Sequence, residues 1–201
     1  MSVRWFPCFI DFEASGFGPD SYPIAVAWND PDSVIHRALI NPTFIPTWTH
    51  WDDQSQSIHG LSRKRLAEEG LHPVEVARRL TRDLARMRVF SDAPVFDGQW
   101  LERLFTASHL PVPFEMDHAD ELFIGALQKP HEMLFQTQLR LDSLKTELMK
   151  TRTAHHDPGY DVGWLVQIWR CTLGEPAKMA HGDGPLPEST PTGSFKRGIK
   201  A

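Results

Sequence analysis

Apolar and polar positions alternate along this chain in a way that separates strands from helices. Residues 5–12 are an apolar run and predict a first strand. Pro23 to Trp28 and Ser33 to Ile40 predict two more, and Asn29-Asp30-Pro31-Asp32 between them is a turn signal, so the pair reads as a hairpin. Residues 41–57 carry Pro and Trp without periodicity and read as a loop. Ser62 is placed to cap a short helix that runs to Glu69 and ends at Gly70. From Pro73, Val74, Ala77, Leu80, Leu84 and Met87 repeat at helical spacing, opposite a face with Arg78, Arg79, Arg82 and Arg86.

Val89-Phe90-Ser91 predicts a short buried strand. Phe96 to Ser108 predicts a helix with Phe96, Leu101, Leu104 and Phe105 inward. Val112 to Met116 reads as a strand, Ala119 to Leu127 as a helix, and Leu134 to Lys150 as a helix with Leu141, Leu144 and Leu148 as its stripe. Asp157-Pro158 opens a last helix that Gly174 closes, following the preference for Pro in the first turn. Residues 175–201 are rich in Pro, Gly, Ser and Thr and read as a flexible tail after a domain of residues 1–174. Strands followed by helices alternating with short strands make an α/β chain with a mixed sheet.

Composition adds bounds. At 201 residues and 41% hydrophobic content the chain is long enough for one domain with a sizeable core. A net charge of -5 gives no global basic field, so any nucleic-acid contact must rest on a local strip. Cys8 and Cys171, the only cysteines, lie in apolar contexts without metal-ligand spacing, which fits a reducing, cytoplasmic setting. The first residues show no signal-peptide pattern, and no apolar run is long enough to span a membrane.

The chemistry is carried by acids. Asp11 and Glu13 are two positions apart at the end of the first strand, so their side chains share one face. Two carboxylates so close repel unless a cation sits between them, and oxygen ligands suit a hard divalent ion. Asp97 follows the Val89–Ser91 strand and opens the next helix. Asp161 lies in the first turns of the last helix, and His156 precedes it by five residues.

This set resembles the DEDDh 3′–5′ exonucleases of the RNase H-like superfamily, which include oligoribonuclease, RNase T and the proofreading subunit of DNA polymerase III. Asp11-Phe12-Glu13 matches their first motif, Phe96-Asp97 with Trp100-Leu101 the second, and His156 to Asp161 the third. Ile58-His59-Gly60-Leu61-Ser62 matches a fourth, weaker signature. The sister class with Tyr four residues before the final Asp is not matched, since that position holds Asp157. The chain departs from the family at Ala93, where Asn is common, and at Pro158, where Ala is usual.

The resemblance implies a mixed five-stranded sheet with helices on both faces, and 3′–5′ exonuclease activity on single-stranded nucleic acid, RNA first and DNA second, releasing nucleoside 5′-monophosphates. It implies two Mg²⁺ or Mn²⁺ ions held by Asp11, Glu13, Asp97 and Asp161, with His156 as general base. Ala14 and Ser15 would receive the terminal sugar, Phe17 would wedge against the last base, and Ile58 and His59 would line the terminal pocket. Family members are often dimers, so a homodimer is one expectation it carries. The arginine face of residues 78–86 is either a solvated helix surface or a phosphate track. A rival reading is a non-catalytic nucleic-acid-binding module on the same fold; a further one is a related endonuclease.

Overall fold

The computed structural model describes residues 6–150 and 157–176. His156 and residues 177–201 of the expected tail lie outside the described residues.

Strand β1 (Cys8–Ala14) is the axis of the molecule. It runs two residues past the predicted end, so both carboxylates belong to it. Its side chains alternate: Cys8, Ile10, Phe12 and Ala14 enter one core, while Phe9, Asp11 and Glu13 face the other way. Antiparallel to it lies β2 (Pro23–Asn29), joined by the predicted hairpin to β3 (Ile35–Leu39). Asp30 closes that hairpin: its backbone N–H donates to the Val34 carbonyl at 3.0 Å, and its carboxylate accepts from the N–H groups of Asp32 and Val34. On the other side of β1 lie β4 (Arg88–Ser91) and β5 (Glu115–His118), both parallel to it, giving the order β3-β2-β1-β4-β5.

Helices cover both faces of this mixed five-stranded sheet. One core packs α2 (Arg63–Glu69), α3 (Pro73–Leu84) and α4 (Pro94–Ala107) against β1 and β2 through Leu66, Leu80 and Leu104. The other packs α5 (Ala119–Leu127), α6 (Leu134–Met149) and α7 (Pro158–Thr172) around Phe9, Ala27 and Phe123. Among the described residues no helix is long and apolar enough to cross a membrane.

Four expectations need correction. Residues 41–57 are not all loop: α1 (Asp53–His59) starts there, with the Asp52 carboxylate accepting from Gln54 and Ser55 N–H. The last strand falls at Glu115–His118, not 112–116, because its pairing with β4 begins at Arg88↔Glu115. Helix α3 stops at Leu84 and turns Val76, not Val74, into the core. Phe96 points outward, because Asp97 takes the inward place one turn ahead of Trp100 and Leu101.

Candidate active site

The β1–β4 ladder covers only Cys8↔Val89 and Phe9↔Phe90. Beyond it the two strands part at their carboxyl ends, the usual place for a site in an open α/β sheet. Asp97 fills the opening. It sits in the first turn of α4, almost fully buried, where Ser91 Oγ donates to its Oδ2 and the Phe12 backbone N–H donates to its carboxylate. Ser91 Oγ also accepts from Ala93 N–H at 2.8 Å, which ties the turn between β4 and α4 to the same carboxylate.

Asp161 arrives from the opposite face on α7. Asp157 caps that helix, its Oδ1 accepting from Gly159 N–H at 2.8 Å. Two carboxylate trios result. Asp11, Glu13 and Asp161 bring ligand oxygens within 4.8 Å of one another, and so do Asp11, Asp92 and Asp97. Asp11 belongs to both. The structure therefore gathers the four predicted carboxylates into one locus and adds Asp92. Its cue was weak: it is an exposed turn acid one residue beyond β4, and only the fold shows what it meets.

The electrostatics suit a cation. Burial, helped by the negative charge of Asp157, pushes the Glu13 carboxyl up to about 7. Burial also pushes Asp97 well above the usual carboxylate range, with Asp92 and Glu13 adding to it against the Ser91 hydrogen bond. Acids held this close resist ionising together, and a divalent ion removes that cost. Every donor in the two trios is a carboxylate oxygen, the ligand type that suits a divalent cation.

Beside the acids lies an aromatic surface. Phe17, 65% exposed, meets Phe96 edge-to-face at 5.6 Å between centroids, and Trp100 lies 6.2 Å from each. Ala14 and Ser15 are buried at the end of β1. Ser15 is held by the segment before α1: its carbonyl accepts from Asp52 N–H at 2.9 Å, and its hydroxyl pairs with His50 Nδ1 at 3.1 Å. Gly16 must be glycine here, since its φ is +148° and a Cβ would come within 2.6 Å of His50 Cε1. Ile58 is exposed on α1; His59 is nearly buried, its Nδ1 accepting from Leu61 N–H at 3.0 Å. Of the arginine face, Arg79 and Arg82 are held in ion pairs with Glu75 and Asp83.

With this geometry in hand, solved structures supply a comparison. A moderately thermophilic Exonuclease I from Methylocaldum szegediense superposes with a TM-score of 0.60 at 16% identity, over 86% of this chain and 41% of that one. The zinc-ion-bound E. coli Exonuclease I complex with single-stranded DNA gives 0.58 at 14%, over 81% and 39%. E. coli Exonuclease I with a dT13 oligonucleotide gives 0.55 at 15%, over 85% and 41%. The fold is RNase H-like. The chain spans about two fifths of the length of these structures. No family model and no curated protein matches it.

Proposed function

We propose that this protein is a metal-dependent 3′–5′ exonuclease acting on single-stranded nucleic acid, RNA in the first place and DNA in the second. One observation carries the reading: two carboxylate trios that share Asp11 at the carboxyl end of the central strand. The RNase H-like fold and the likeness to Exonuclease I support it.

When bound, two Mg²⁺ or Mn²⁺ ions would activate water, neutralise charge at phosphorus and assist the leaving 3′-oxygen. Asp11, Glu13 and Asp161 would hold one, and Asp11, Asp97 and Asp92 the other. His156 takes the proton of the attacking water; an imidazole with an ordinary pKa near 6.5 suits that task at neutral pH. Ala14 and Ser15 receive the terminal sugar at a turn that His50 and Asp52 make rigid. Phe17, backed by Phe96 and Trp100, stacks on the terminal base, and Ile58 and His59 close the other side. Stacking of this kind is indifferent to sequence and requires an unpaired end. The domain of residues 1–174 holds all of these residues.

A panel of linear and circular single strands, RNA and DNA, with Mn²⁺ tests this. The reading predicts stepwise loss from the 3′ end of linear strands, 5′-monophosphate products and intact circles. Cut circles point to an endonuclease, and no cleavage of any substrate points to a binding module.

A further inference from the structure

Arg37 stands out among the residues that the chemistry above does not use. In the sheet register Asp11 pairs with Ala27 and Ala27 with Arg37, so the three lie in one row across β1, β2 and β3. Cross-strand partners share a face, and α7 covers this one. The small Ala27 lets Arg37 reach under the start of α7. Its Nε lies 3.4 Å from Asp157 Oδ1, and its Cζ is 5.4 Å from the centre of the Tyr160 ring. The guanidinium fills the space beside Gly159 so fully that a Cβ there would overlap it. Only 15% of the Arg37 side chain is exposed, and its buried Nη2 has no hydrogen-bond partner among the described residues.

An arginine in this seat is costly. Burying a guanidinium with an unsatisfied N–H is penalised, and an apolar side chain of similar length would fill the row more cheaply. The charge and the planar head must therefore serve something other than packing. Both point at three of the four residues before Asp161: Asp157 is the helix cap, Gly159 is the contact surface and Tyr160 lies against the guanidinium. We propose that Arg37 is a positioning residue that locks the first turn of α7 and so delivers Asp161 to Asp11 and Glu13. This rests on the reading of that trio as a cation site.

Two readouts test it: Mn²⁺ affinity by calorimetry without nucleic acid, and hydrogen exchange at the Tyr160 and Asp161 amides, which donate to the Asp157 carbonyl. Arg37→Met should speed exchange at both amides and weaken Mn²⁺ binding on the order of tenfold, the scale of groups that orient metal ligands, with the melting temperature little changed. Gly159→Ala, which keeps the charge but takes the seat, should act in the same direction. Arg37→Lys should fall between Arg37→Met and wild type. Wild-type exchange and affinity in Arg37→Met overturn the proposal, as does a loss seen only in Gly159→Ala. Faster exchange in a protein that binds no Mn²⁺ supports the lock and overturns the cation reading instead.

Discussion

Helices α4 and α7 start with the same four-residue phrase, Pro-x-aromatic-Asp: Pro94-Val95-Phe96-Asp97 and Pro158-Gly159-Tyr160-Asp161. In both, Pro opens the helix, and the Asp N–H donates back to the residue before that Pro. Both aspartates reach Asp11, from opposite faces of the sheet. Yet they are held by different means. Asp97 is buried and anchored locally, by Ser91 and by the open edge of β1 at Phe12. Its helix has no side-chain cap. Asp161 is half-buried; its helix is capped by Asp157 and braced from two strands away by Arg37. The aromatics differ too. Phe96 is turned outward to Phe17, while Tyr160 lies against the Arg37 guanidinium. One phrase thus builds a buried acid beside an exposed stacking surface, and elsewhere a half-exposed acid on a braced helix.

The largest expected effect treats the two alike. Asp97→Asn and Asp161→Asn should each lower turnover on the order of 10³-fold, about 4 kcal/mol of barrier, measured as release of 5′-monophosphate. Their stabilities should then part. Asn at 97 removes the desolvation cost of a buried acid, so metal-free Asp97→Asn should melt above wild type, and Asp161→Asn should not. Equal melting temperatures for the two would remove the contrast.

Acid titration gives the next test. The Glu13 carboxyl is raised from about 4.5 to about 7 in the folded state, so the folded protein binds more protons than the unfolded chain between those values. Stability without metal should therefore fall as pH rises from roughly 4.5 to 7, then level off for this group. Saturating Mn²⁺ at pH 8 should restore it, because the bound ion favours the ionised form. Melting curves against pH, with and without Mn²⁺, check the sign. Ser91→Ala sharpens the contrast further. Losing a hydrogen bond that favours ionised Asp97 should move the acid limb of the rate profile to higher pH, where Asp157→Asn, which relieves Glu13, should move it lower.

The aromatics give the smallest effects. Phe96→Ala removes the backing of Phe17 and should raise KM for single strands about threefold, below the roughly 1–3 kcal/mol of a base stack itself, and leave kcat nearly unchanged.

Much of this site was legible in the sequence because its main acids sit at element ends. Asp11 and Glu13 stand out against the apolar run of β1, and Asp161 follows a Pro that marks a helix start. The burial of Asp97 was hidden because apolar periodicity cannot assign an inward position to a charged residue, so Phe96 took that place in the reading. Helix α1 was hidden for a related reason: its buried positions are Ser55 and His59, which leave no apolar stripe. Asp92 carries only a weak local signal, and Arg37 carries none. One gains meaning from a turn that meets Asp11, and the other from a partner about 120 positions away along the chain.

The central claim is that Asp11 joins two cation sites that cut a nucleic-acid chain from its 3′ end. The most direct measurement follows a 5′-labelled single-stranded oligonucleotide with Mn²⁺, comparing wild type with Asp11→Asn. The account predicts a ladder shortening from the 3′ end with wild type, abolished by chelator and by Asp11→Asn. Shortening by Asp11→Asn at the wild-type rate would contradict it.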